Sequence, residues 1–327
     1  MEELSLSIKL GILNVNILQG DSLEVLRTME SGSIDMCITS PPYWGLRDYG
    51  VDGQIGQEPS YQEYISKLVY LFNEVKRVLK DTGTCWVNIG DTYSGGNGAG
   101  YSPAKWKSLY PNETSLRKKM SRRDCLPGKS LVGIPERFAI AMTDAGWIRR
   151  NTIIWHKSNC MPFSGKDRFT VDFEYMYFFT KNKKYYFKQQ LEKYIDRADV
   201  KYRKKLRQGK LYKVEKGNPY KENTPFTGER KTPMAIGRNK RTVWTIPTKS
   251  YKGAHFAVFP EALVKPPVLA GCPEGGTVLD PFMGSGTTLK VAGNLGRHSI
   301  GIELNPEYIE LAKERIIRNG KIGMAVG

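Results

Sequence analysis

Two consecutive prolines stand between a serine and an aromatic residue at Ser40-Pro41-Pro42-Tyr43, directly after the apolar run Ile34 to Thr39. Each proline fixes φ and lacks a backbone N–H, so nearby carbonyls are left to accept from some other donor. The exocyclic amino group of cytosine or adenine is such a donor. Its nitrogen is a poor nucleophile because the lone pair is delocalised into the ring. Acceptors that hold both hydrogens, here Ser40 Oγ and the Pro41 carbonyl, favour a pyramidal nitrogen whose lone pair can be aimed at a methyl donor. Tyr43 would stack on the base. Such an amino group lies inside a base pair, so the base must first rotate out of the duplex, at a cost of about a few kcal/mol. Taken in isolation, the same four residues read equally as a Pro-Pro turn packed by an aromatic at a strand end.

A second segment, Asp280-Pro281-Phe282-Met283-Gly284-Ser285-Gly286-Thr287-Thr288, follows the apolar residues Thr277 to Leu279. Glycines where a strand passes into a helix let a ligand approach the backbone and the helix N-terminus. An acidic residue, Glu303, ends the next strand-like run. A carboxylate about 20 residues beyond a glycine-rich turn is placed to accept from ribose hydroxyls, which implies a nucleoside-containing cofactor. No lysine follows the glycines, and this disfavours a phosphate-binding P-loop. Asp21, at the end of the first strand-like run, suits a helix N-cap.

The elements that must position these residues alternate along the chain. Strands are expected at Gly11 to Leu18, Ile34 to Thr39, Thr84 to Ile89, Trp147 to Trp155, Tyr175 to Thr180, Thr277 to Leu279 and Ser299 to Glu303. Helices are expected at Ser22 to Met29, Tyr61 to Leu79, Pro135 to Ala145, Pro260 to Leu269, Thr287 to Leu295 and Pro306 to Arg318. The helix at Tyr61 has apolar residues at helical spacing and stops before Asp81-Thr82-Gly83. Such alternation predicts an open, doubly wound α/β sheet, at whose strand ends ligands bind. From Asp91 to Gly128 periodicity is lost, and Lys118, Lys119, Arg122 and Arg123 fall in this long connection, which is expected to close over a nucleic acid.

Charge is distributed unevenly. The 327 residues carry a net +17, and 22 Lys and Arg against 6 Asp and Glu between Lys181 and Lys252 account for nearly all of it. Tyr185, Tyr186, Tyr194, Tyr202, Tyr212 and Tyr220 are interleaved with them, the mixture expected of a surface that tracks phosphates and stacks on bases. The five cysteines, odd in number and scattered, read as reduced thiols, and three histidines are too few for a histidine-rich metal site, so no metal is expected. No stretch approaches the roughly 20 apolar residues of a membrane helix, and Glu2 and Glu3 are unlike a signal peptide; a cytoplasmic protein is expected.

With both motifs in this order the chain resembles the beta-type amino-methyltransferases of DNA, in which the catalytic motif comes first, a target-recognition insert follows and the cofactor motif is last. The resemblance implies a Rossmann-like methyltransferase sheet in circularly permuted order. Its parts are a catalytic half at 1–156, a basic target-recognition insert at 157–252 and a cofactor-binding half at 253–327. It implies S-adenosylmethionine as cofactor. Asp280, Phe282, Gly284 and Gly286, within a turn that also carries Ser285 and Thr287, would line its methionine and sugar side. Glu303 would hold the ribose and Asp21 would contact the adenine, with or without capping its helix. Phe256, in His255-Phe256-Ala257-Val258-Phe259-Pro260, matches a position that packs on the methionine moiety, although core packing is an equal reading. Trp155 matches an aromatic that helps hold the flipped base, and it too reads as core. In this family Ser at the first position of the catalytic tetrapeptide usually goes with N4 of cytosine and Asp with N6 of adenine. The implied partner is double-stranded DNA, with room for a cognate restriction endonuclease, in a bacterial, archaeal or phage-infected cell. Both a monomer and a homodimer fit the resemblance.

Overall fold

The computed structural model describes residues 5–10, 13–46, 53–94, 126–192, 238–248 and 259–319. Phe256, Lys118, Lys119, Arg122, Arg123 and most of the basic segment, including Tyr194, Tyr202, Tyr212 and Tyr220, lie outside the described residues.

Strands β1 (Ser5–Leu10), β2 (Leu13–Gln19), β3 (Ile34–Thr39), β4 (Leu79–Ile89), β5 (Ile148–His156), β6 (Phe173–Thr180), β9 (Val243–Thr245), β10 (Thr277–Asp280) and β11 (His298–Glu303) form one sheet; β7 (Leu191–Glu192) and β8 (Arg238–Asn239) pair separately. The order in the large sheet is β1-β2-β11-β10-β3-β4-β6-β5-β9. The centre, from β2 to β4, is parallel, whereas β1 and β6 run antiparallel to their neighbours. The helices are α1 (Ser22–Thr28), α2 (Tyr61–Val78), α3 (Ile134–Asp144), α4 (Glu261–Gly271), α5 (Thr287–Asn294) and α6 (Pro306–Asn319).

Both faces of the sheet are covered. On one face α1, α2 and α3 pack on β3, β4 and β6 through Leu26, Leu68, Phe72, Phe138 and Phe179. On the other, α4 and α5 cover Met36, Ile38, Trp86 and Phe178, and α6 closes over Val15 and Ile17. The α2 helix starts where Ser60 Oγ accepts from the Glu63 amide, and it turns one apolar face inward, Tyr64, Leu68, Leu71, Phe72 and Val75.

Three features depart from the sequence-based expectation. The edge strand β1 was not expected, and its residues pair with β2 from Ser5↔Leu18 to Leu10↔Leu13. Strand β4 begins at Leu79, directly after α2, five residues before the Thr84 start that the sequence predicts. Its pairing with β3 jumps from Ile34↔Leu79 to Met36↔Thr84, so Lys80 to Gly83 bulge out of the ladder and Lys80 reaches Asp35 at 2.9 Å. Third, β6 and β9 belong to the large sheet, so the sheet extends into the span 157–252. The chain divides into two compact units, one of Met1–Lys188 with Thr242–Gly327, the other Gln189–Arg241. In the second, Glu192 of β7 pairs with Arg238 of β8 and with Arg241. No helix among the described residues is long and apolar enough to cross a membrane.

Candidate active site

The chain leaves β10 for β11 in one direction across the sheet and leaves β3 for β4 in the other. The crevice between β10 and β3 is therefore a topological switch point, the place where open α/β sheets bind ligands at their carboxyl strand ends. Both sequence motifs begin there. Cys37 pairs with Leu279, which brings Ser40 and Asp280, 240 residues apart in the chain, to neighbouring strand ends.

Asp280 is the hinge between them. Thr39 Oγ1 donates to its Oδ1 at 2.6 Å, Thr288 Oγ1 to its Oδ2 at 2.6 Å, and the Phe282 amide to Oδ1 at 3.1 Å. Its carboxyl is fully buried, and burial pushes its pKa up to about 6 against the pull of those three donors. The carboxylate thus ties the end of β3, the turn and α5 together. Thr39 and Thr288 are partners of Asp280 that the sequence alone does not single out.

The glycines of the turn have different tasks. Gly284 has φ +49°, and a Cβ there would meet no atom within 4 Å, so this side of the turn is open for a ligand to approach the backbone. Gly286 has φ +74°, and a Cβ would come 2.9 Å from Ala312 Cβ; its role is close packing of the turn on α6. Ser285 and Thr287 turn toward α6 as well. Arg315 Nη1 bonds the Ser285 carbonyl at 2.8 Å, the Ser285 hydroxyl, and Thr287 Oγ1 at 3.2 Å. Both side chains are thereby engaged in holding the turn against α6.

Glu303 Oε2 accepts from the Gly284 amide at 2.9 Å and Oε1 from the Asn305 amide at 2.8 Å. Burial raises its pKa while those amides act to lower it. A carboxylate has about four lone-pair sites, so acceptor capacity remains for ribose hydroxyls. Asp21 caps α1, its Oδ1 accepting from Leu23 at 2.9 Å and Glu24 at 3.1 Å; no described donor reaches its Oδ2. The Gly20 amide donates to the Glu303 carbonyl and Ser22 Oγ to the Pro281 carbonyl at 2.5 Å, so the ends of β2, β10 and β11 converge. Asp21, Phe282, Gly284 and Glu303 meet around one open turn. The donor set and the unfilled space beside Gly284 fit a nucleoside cofactor.

At Ser40-Pro41-Pro42-Tyr43 the two proline carbonyls have separate fates. Tyr64 of α2 donates to the Pro42 carbonyl at 2.8 Å, whereas no described donor reaches the Pro41 carbonyl. Tyr43 is half-buried, with its ring laid on Gly90; a Cβ on Gly90 would lie 2.6 Å from Tyr43 Cε2. Burial raises the Tyr43 pKa well above the usual phenol value, and the adjacent Glu174 adds to the rise. The next residue, Trp44, is buried and donates its indole N–H to the Glu58 carbonyl at 3.0 Å, which anchors the loop.

Trp155 does not join this group. It is 4 % exposed, donates to the Ile246 carbonyl at 2.8 Å and packs with Trp244, Met176 and Phe178. Its indole lies within this buried cluster. Asn88 and Glu174, which the sequence reading missed, do reach the site through the Tyr43 hydroxyl. Asn88, a single buried amide in the apolar strand Cys85 to Ile89, was the available signal.

An open α/β sheet with a glycine-rich turn, an acidic strand end and a Ser-Pro-Pro-Tyr loop at one switch point defines a Rossmann-like methyltransferase class. The N6/N4 methyltransferase family model, described as DNA methylase, matches residues 34–314, and the chain belongs to this family. It is 41% identical over 319 residues to the type II methyltransferase M.Cfr9I of Citrobacter freundii, covering 97% of this chain and 92% of that one. It is likewise 41% identical over 312 residues to the type II methyltransferase M.SmaI of Serratia marcescens, covering 94% and 92%. Among solved structures the fold is similar to the PvuII DNA methyltransferase described as cytosine-N4-specific, with TM-score 0.59, 20% identity and coverage of 95% and 88%. It also resembles a Thermus thermophilus protein described as a DNA modification methylase in complex with S-adenosyl-L-methionine, with TM-score 0.53, 22% identity and coverage of 93% and 95%.

Proposed function

We propose that this protein transfers a methyl group from S-adenosylmethionine to the exocyclic N4 amino group of cytosine in duplex DNA, after the base has been rotated out of the helix. One observation carries the reading: Ser40-Pro41-Pro42-Tyr43 and the Asp280 to Gly286 turn stand at adjacent strand ends, tied by the 2.6 Å bond from Thr39 to Asp280. S-adenosylmethionine, when bound, supplies an electrophilic sulfonium methyl. Glu303 would hold its ribose, Asp21 its adenine, and the Gly284 backbone would lie against it. Phe282 and Phe256 would border the methionine side.

The protein's own residues prepare the amino group. Ser40 Oγ and the Pro41 carbonyl accept its two hydrogens and so direct the nitrogen lone pair; Tyr43 supports the ring. The prolines themselves offer no competing N–H. Ser40, where adenine-modifying members usually have Asp, supports cytosine. The basic stretch within 157–252 would read the target sequence and bind phosphates, with the segment 91–128 closing over the DNA. The setting that fits is the cytoplasm of a bacterial, archaeal or phage-infected cell, as the modifying half of a restriction-modification pair.

Purified protein incubated with duplex DNA and methyl-labelled S-adenosylmethionine should label the DNA. Ser40→Ala and Tyr43→Ala should abolish labelling and leave cofactor binding intact. Near-normal labelling by both variants would overturn the assignment of the catalytic loop; label in adenine alone would retain the loop and reassign the base.

A further inference from the structure

The Tyr43 hydroxyl is held from behind. It donates to Glu174 Oε2 at 2.6 Å and lies 3.2 Å from Asn88 Oδ1. Glu174 sits on β6, two strands away from β3, where Trp155 of β5 is its pairing partner. Its Oε2 also accepts from Asn88 Nδ2 at 3.2 Å, while Lys157 Nζ bonds its Oε1. Asn88 is fixed in turn by a 3.0 Å bond to the Tyr175 carbonyl. The Glu174 and Lys157 side chains are only 16% and 21% exposed, and the ammonium stands 4.9 Å over the Trp155 ring. A partly buried carboxylate with an ion pair on one oxygen and two donors on the other has little freedom to move.

We propose that Glu174 is a positioning residue: by gripping the Tyr43 hydroxyl it fixes the ring on which the target base stacks. The inference rests on the reading of Tyr43 as the stacking ring. Gly90 under the ring restrains its rotation about the Cβ–Cγ bond, and Glu174 on the hydroxyl, which lies on that axis, fixes where the ring points, both before DNA arrives. There is a second consequence. A phenol has one proton, and here it is committed to Glu174. It is not available to Ser40, whose lone pairs are left to accept from the base amino group. Trp155, placed in the core, contributes indirectly by carrying Lys157 on its face.

The test is a double-mutant cycle read as kcat and KM for a duplex containing the mapped target site. Glu174→Ala should lower kcat/KM about tenfold to a hundredfold, the range for a hydrogen bond to a charged group, and Tyr43→Phe should lower it comparably. In the Tyr43→Phe background Glu174→Ala should add less than about twofold, because the hydroxyl it served is gone. Glu174→Gln, whose amide oxygen still accepts, should recover most of the loss. Cofactor affinity should stay within about twofold in every variant, since Glu174 has no contact with the Gly284 turn. Because Glu174→Ala leaves an ammonium without its partner, the cycle is repeated in a Lys157→Met background, which removes that charge. Unchanged kcat/KM in Glu174→Ala, or losses that multiply in the double variant, would overturn the inference. Tyr43→Ala separates this from the underlying reading: wild-type activity there overturns the stacking role itself, whereas an inactive Tyr43→Ala beside a multiplicative cycle overturns only the part assigned to Glu174.

Discussion

Replacing Asp280 with Asn tests whether the buried carboxylate is a structural tie carried at an electrostatic cost. In the folded protein burial raises its pKa from 3.8 to about 6. At 1.36 kcal/mol per pH unit this is about 3 kcal/mol of differential interaction favouring the protonated form. The group is fully buried, so solvent screening does not reduce the figure. Because the folded pKa lies above the unfolded one, the native state holds its proton longer. The associated stability is complete below about pH 3.8 and is lost as pH rises through about 6. Asn is neutral at every pH and nearly isosteric. Its amide oxygen can accept from Thr39 or Thr288, and the other hydroxyl can rotate to accept from the Asn NH2. The variant should therefore gain on wild type as pH rises. With about 2.1 cal/mol/K of unfolding entropy per residue, 327 residues give about 0.7 kcal/mol/K, and 3 kcal/mol corresponds to about 4 °C. Melting curves of both proteins without cofactor, from pH 4 to pH 7.5, should show the variant's Tm gaining about 4 °C on that of wild type across the range. A Tm difference that does not change with pH, or one that moves the other way, would refute the reasoning.

The two glycines of the turn should separate ligand binding from packing. Gly284→Ala should weaken S-adenosylmethionine binding by about tenfold or more while lowering Tm by only about 1–3 °C, whereas Gly286→Ala should lower Tm by about 3–7 °C through its clash with Ala312, as read by calorimetry and cofactor titration. Trp155→Ala should cost about 3–5 kcal/mol of stability, seen as a Tm drop of about 4–7 °C, because it empties a core site. DNA binding should weaken with salt, and changing Arg203, Lys204 and Lys205 to Gln should reduce the slope of log Kobs against log salt by about 0.9 for each phosphate that is no longer neutralised; an unchanged slope would remove these residues from the DNA interface.

Much of this architecture was legible because its central strands and α2 carry strong local patterns. Ile34 to Thr39 and Thr277 to Leu279 are mostly apolar runs with a proline two residues beyond, Pro41 and Pro281, and α2 repeats apolar residues over eighteen positions behind a serine cap. The resemblance supplied the permuted order, and the parallel neighbours β3 and β10 agree with it. What local pattern could not carry is what depends on distant partners. Strand β1 exists because β2 offers a free edge, and β4 starts early because Leu79 finds Ile34. The hydroxyls of Ser285 and Thr287 accept from Arg315, some 30 residues on, a partner that the turn's own sequence does not announce. Glu174 sits in an aromatic strand, Phe173 to Phe179, where one charge reads as a solvent-facing position; only the fold brings it to the Tyr43 hydroxyl from 131 residues away.

The measurement that bears most directly on the central claim is the identity of the methylated base. The protein would be expressed in a bacterial host lacking its own DNA methylation, and the genomic DNA digested to nucleosides for mass spectrometry. The account predicts N4-methylcytosine, absent when Ser40→Ala is expressed instead. N6-methyladenine would contradict the cytosine assignment drawn from Ser40, and DNA without any methylated amino group would contradict the proposed activity.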